Sequence, residues 1–156
     1  MSPATTGSYS SPLNGRTVGT AATLGDNRCT RVGPSPSPPG TSAYDLLMRA
    51  RAFMDGGHPH QAALLLDRAK LLEPEKSSIR ETLGRALYLA GQNARARREF
   101  AKAVQIDPVN DYAHFGLALS CAKTGQRTRA IAHLKLALAM RPDAEAYRRA
   151  LERLGG

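Results

Sequence analysis

Residues 77–108 read SSIRETLGRALYLAGQNARARREFAKAVQIDP. Apolar residues recur at helical spacing on both sides of Gly91, and the run closes on Pro108. Pro74 and Pro142 stand 34 residues before and after that proline. Aligning the three runs on their prolines brings further residues into register. Ala62, Ala96 and Ala130 form one column, and Ala69, Ala103 and Ala137 another. Gly57, Gly91 and Gly125 form a third, and Leu66, Phe100 and Leu134 a fourth. A fixed period of this length signifies a stacked array whose units are each too small to bury an apolar face alone.

Each unit predicts two helices. In the middle unit Ser78-Ile79-Arg80-Glu81 reads as a capping box, Gly91 as a left-handed stop and Asn93 as the cap of the second helix. In the first, Ser42 with Asp45 starts a helix, Gly56-Gly57 stops it, and Pro59 suits the first turn of the next. In the third, Asn110 opens, Gly125 stops and Thr128 caps. The stretch 144–154 repeats the start of a first helix and reads as a polar-faced terminal cap. The alanine columns belong where two helices cross closely, with large residues such as Phe100 filling the space beside them. Glu99 is expected to face outward.

The tail differs. Residues 1–41 are rich in Ser, Thr, Gly and Pro and end in a proline cluster containing Pro36 and Pro39 at P-x-x-P spacing. No apolar period survives there, so the segment is expected to be disordered, either a docking tail or a passive leader. The opening residues lack a charged segment followed by an apolar run, so no secretory signal is expected.

The columns resemble the tetratricopeptide repeat, whose 34-residue helix–turn–helix unit carries an L-G pair, then A-x-x-x-F, then P. Leu83-Gly84, Ala96, Phe100 and Pro108 match it in the middle unit, and Leu117-Ala118, Ala130, Leu134 and Pro142 in the third. The first unit has Arg49-Ala50 in place of L-G, and Leu46, Arg80 and His114 occupy the family's tryptophan column. The resemblance implies an all-α, right-handed α-solenoid of antiparallel helix pairs. A domain at 42–156 would hold repeats at 43–76, 77–110 and 111–144 and a capping helix at 144–154.

The resemblance also implies that first helices line a concave groove receiving peptides. Carried onto this chain, its positions include Tyr44, Leu47, Arg51, Met54, Arg85, Tyr88, Tyr112, Phe115 and Lys123. Aromatics beside arginine are typical interface anchors. Leu89 and Leu119 are expected to be ordinary core. The carboxylate clamp of chaperone-binding arrays would fall on Leu47, Arg51, Thr82, Tyr112 and Gly116, of which only Arg51 is basic, so that mode is not expected. The implied function is a non-catalytic adaptor, scaffold or small chaperone in the cytoplasm, holding a peptide or helix of another protein.

The chain of 156 residues carries a net charge of +9. Arg95, Arg97, Arg98, Arg127 and Arg129 fall at the starts of two second helices, as a basic face. An alternative reading is therefore an accessory protein that binds nucleic acid or an anionic partner there; against it, no aromatics interleave for base stacking. Cys29 and Cys121 form neither a disulfide framework nor a metal spacing, and His58-Pro59-His60 lacks a nearby third ligand. Cys121 is expected to be buried and inert. No catalytic, metal or cofactor site is expected, and no apolar run approaches the ~20 residues of a membrane span.

Overall fold

The computed structural model describes Pro38 and residues 41–155. The tail, with Cys29 and the Pro36–Pro39 motif, lies outside the described residues but for Pro38 and Thr41. Seven helices follow in order: α1 Ala43–Asp55, α2 Pro59–Leu72, α3 Ser77–Leu89, α4 Asn93–Ile106, α5 Asp111–Lys123, α6 Arg127–Met140 and α7 Glu145–Gly155. No strand occurs among the described residues.

The stops behave as glycine chemistry requires. Gly57, Gly91 and Gly125 adopt φ of 79°, 80° and 81°, the left-handed region that other residues enter only at a cost. The residue after each glycine donates its N–H five residues back, His58 to Phe53, Gln92 to Leu87 and Gln126 to Cys121, closing a Schellman turn. This tight turn corrects two caps. Helices α4 and α6 follow directly from Gln92 and Gln126, so Asn93 is already helical and Thr128 lies inside the first turn. The capping box is corrected too. Helix α3 starts at Ser77, the Ser78 carbonyl accepts from Thr82 Oγ1, and the Glu81 carboxylate accepts from Asn110 Nδ2 at 2.8 Å. Ser42 and Asn110 do cap, accepting from the N–H of Asp45 and Ala113 at 3.0 and 2.8 Å.

Helices pack in pairs, α1 with α2, α3 with α4 and α5 with α6, and each pair leans on the next. The six column alanines are fully buried at these contacts, with Leu66, Phe100 and Leu134 beside them. Successive first helices also touch, α1 with α3, α3 with α5 and α5 with α7, whereas the backbones of α2, α4 and α6 do not approach one another. The array therefore curves, with first helices on the inner side and second helices splayed on the outer.

The missing tryptophans have a structural counterpart. In that column Arg80 Nε, His114 Nε2 and Arg148 Nη2 reach the carbonyls of Pro74, Pro108 and Pro142 at 3.0, 3.1 and 2.9 Å. Each contact ties a first helix to the proline turn that precedes it. Glu99, expected to face outward, is instead 13% exposed and paired with Lys70 at 2.8 Å and Arg80 at 2.9 Å.

Candidate functional site

On the inner layer, α3 and α5 hold between them a cavity of about 150 Å³. Its floor is the Phe100 ring, reachable because Gly116 has no side chain to cover it. Tyr88, Leu89, Tyr112, Phe115 and Leu119 form the walls, and Arg85 stands on the rim. A second cavity of about 330 Å³ shares Tyr88 and Leu119 and runs on to Lys123, Arg153 and Leu154.

Helix α7 shapes this region. The Phe115 ring stacks on Tyr147 with centroids 4.5 Å apart, and Tyr147 donates its hydroxyl to Asp111 Oδ2 at 2.6 Å. Burial first, then the bond to Asp111, holds the Tyr147 phenol well above its ordinary range. Burial also raises the Tyr112 phenol, against the opposing field of Arg85. Of the acids on this side, Glu81 is bonded to Asn110, while Asp111 is held by Tyr147 and Arg141. Arg85, Lys123 and Arg153 have no acidic partner among the described residues, so the open charge along the two cavities is positive.

The structure thus gathers Arg85, Tyr88, Tyr112 and Phe115 around one cavity and Lys123 on its continuation. Tyr44 and Arg51 are exposed on α1, outside both cavities. Two expected groove positions are corrected: Leu47, 6% exposed, and Met54 are buried in the core cluster with Leu46, Ala50 and Leu83. Leu89 is corrected in the other direction. It ends α3, is 54% exposed and lines the smaller cavity; Leu119 is half-buried there. Sequence reasoning missed Arg153 and Tyr147, because α7 read only as a cap. The stripe Tyr147, Ala150, Leu151 and Leu154 was the available signal that α7 presses on α5.

The basic residues of the second helices differ in their partners. Arg95 pairs with Asp67 at 2.9 Å, and Arg127 Nε donates to the Leu154 carbonyl at 2.7 Å. Arg97, Arg98 and Arg129 instead surround a separate cavity of about 280 Å³ on the outer side. Cys121 is buried at its base, where burial pushes the thiol upward despite Arg97 and Arg129. His58 is exposed and lies edge-on to Phe53 at 6.4 Å. No group of three or more His, Cys, Asp or Glu among the described residues stands together to hold a metal. No described helix is long and apolar enough to cross a membrane.

Two family models, both described as tetratricopeptide repeat, match residues 47–111 and 87–154. No curated protein sequence matches. Among solved structures, the first TPR of Spaghetti (RPAP3) bound to an HSP90 peptide superposes with a TM-score of 0.71 at 13% identity, covering 73% of this chain and 90% of that one. The Sgt2 TPR domain from Aspergillus fumigatus gives 0.70 at 20% identity, over 79% and 83% of the two chains. YrrB, described as a TPR protein with an unusual peptide-binding site, gives 0.67 at 21% identity, over 81% and 62%.

Proposed function

The chain belongs to the tetratricopeptide repeat family, and from that premise we propose that it is a non-catalytic interaction module, an adaptor or small chaperone, whose inner groove holds a short segment of another protein. One observation carries this reading: a phenylalanine-floored cavity walled by Tyr88, Leu89, Tyr112 and Phe115 opens beside the unpaired Arg85. An apolar or aromatic side chain seated there would lose its contact with water, while Arg85 and Lys123 would meet acidic residues flanking it. Buried aromatic and arginine anchors supply most of the affinity in such interfaces. Solved relatives with peptide-binding sites support the general role.

The test is a photo-crosslinking amino acid at position 89, with captured proteins identified by mass spectrometry. An Arg85→Ala/Tyr88→Ala variant should lose the captured partner at least tenfold while keeping its helicity. Phe115 is left intact in this variant because its stacking on Tyr147 holds α7. Capture that survives the double substitution, or that disappears on nuclease treatment, overturns the reading.

A further inference from the structure

The 34-residue period supplies an internal comparison between two outer grooves. The first lies between α2 and α4, over α3, and is closed by its own charges. Asp67 pairs with Arg95 at 2.9 Å and Lys70 at 3.3 Å, and Glu99 with Lys70 at 2.8 Å and Arg80 at 2.9 Å. The second lies one unit later, between α4 and α6, over α5. There Ala101 takes the column of Asp67, Val104 that of Lys70 and His133 that of Glu99. Arg129 keeps the column of Arg95, while Arg97 and Arg98 replace Ala63 and Leu64. Both acids are gone, and the arginines have increased.

What remains is the 280 Å³ cavity, with Arg97, Arg98 and Arg129 around it and no acid in its lining. The contact of Arg97 with Thr124 Oγ1 is a long 3.5 Å, and Arg129 reaches only Gln126 Oε1, at 3.1 Å. Its floor is apolar, formed by Ala101, Val104 and Leu117 with Cys121. His133 adds a directional group. Because His114 Nε2 reaches the Pro108 carbonyl, it carries the proton, so His114 Nδ1 accepts from His133 Nδ1 at 3.1 Å. That tautomer leaves His133 Nε2 a hydrogen-bond acceptor, so an incoming carboxylate is held by the arginines and not by this ring.

We propose that this cavity is a docking site for an acidic side chain of a partner peptide, an Asp or Glu beside an apolar residue, whose carboxylate takes the place that Asp67 fills one unit earlier, over Ala101. The earlier groove shows a carboxylate, Asp67, seated against Arg95, whose column Arg129 keeps; Arg97 and Arg98 supply the further cations where Lys70 has given way to Val104. An apolar neighbour of the acid would cover Val104 and Leu117. Nucleic acid fits less well, since no Phe, Tyr or Trp lines the cavity for stacking.

The experiment uses the full chain and a fluorescein-labelled, end-capped peptide with a Glu-Leu-Glu core, read by anisotropy. Saturable binding is expected, weakened at least tenfold in Arg98→Gln/Arg129→Gln. Removing the same charge from exposed positions, Arg49→Gln/Arg68→Gln, should change it less than twofold. Ala101→Asp/His133→Glu restores the earlier groove's acids and should abolish binding while the protein stays folded by circular dichroism. The titrations are repeated in the Arg85→Ala/Tyr88→Ala background, where the inner groove no longer grips an acid-flanked leucine; the tenfold loss in Arg98→Gln/Arg129→Gln should persist there, which keeps the two sites separate. Four outcomes overturn the proposal: no saturable binding, equal binding of a Gln-Leu-Gln peptide, unchanged binding by the acid-restored variant, or displacement by a short single-stranded RNA at lower concentration than unlabelled peptide.

Discussion

A Cβ at Gly116 would lie 2.3 Å from the Phe100 ring, and one at Gly84 2.9 Å from it. Phe100 is thus sandwiched between α3 and α5, and the unit-to-unit spacing here depends on two absent side chains. Gly116→Ala should destabilise the fold by about 1–3 kcal/mol through overpacking. Part of that loss should return in Gly116→Ala/Phe100→Leu, because Leu66 of the first unit and Thr82 of the second already occupy the same two columns. Urea titration of the double-mutant cycle measures the coupling; zero coupling would show that the ring is not seated as described.

Glu99 offers a second test. Its carboxylate joins α4 to Lys70 on α2 and Arg80 on α3, largely shielded from water. Glu99→Gln should cost about 1.5–3 kcal/mol, the range for hydrogen bonds to charged groups. The exposed Glu152→Gln should stay within about 0.5 kcal/mol. Equal midpoints for the two variants would contradict the bridging role.

A pH effect follows from His133. Burial foremost, then the fields of His114 and Arg129, lower its pKa from the ordinary 6.5. The folded chain therefore resists a proton that the unfolded chain accepts. Its contribution to stability is complete above about pH 6.5 and is lost as pH falls toward the folded value. His133→Gln keeps a donor for His114 but cannot titrate, so its stability should fall less between pH 7 and pH 5. Parallel curves for the two proteins would refute this.

The opposite sign holds for Tyr147. Its pKa is raised, so its contribution is complete below about pH 10 and is lost at higher pH. Tyr147→Phe should cost about 1.5–3 kcal/mol by removing the bond to Asp111. Ultraviolet titration of wild type should show a phenol that resists ionisation until the chain unfolds and that is missing from the titration of Tyr147→Phe. A single transition accounting for every tyrosine would count against the buried hydrogen bond.

The repeat frame was legible because period, alanine spacing and glycine stops are local properties that the backbone enforces unit by unit. Gly91 stops a helix in any array with this turn. The caps were less legible, since a Schellman turn uses Gln92 and Gln126 where residue preference favours Asn93 and Thr128. The site was legible only in part. Its aromatics on α3 and α5 could be placed by period, but the burial of Leu47 and exposure of Leu89 depend on how neighbouring helices cover each end. Glu99 failed for a related reason: its partners lie 19 and 29 residues away on two other helices.

The helices of this array touch only their neighbours and next-but-one neighbours in the chain. The longest-range hydrogen bond described above, Tyr147 to Asp111, spans 36 residues. No step of assembly therefore has to wait for a distant part of the chain, which favours rapid folding. During synthesis, α1 to α4 can pack and form the Asp67–Arg95 and Lys70–Glu99 bridges while α7 is still inside the ribosome. The inner cavity is different, since Phe115 gains its support only when Tyr147 arrives. A nascent chain would thus be structured well before the proposed partner site is complete, and its completion would wait for α7.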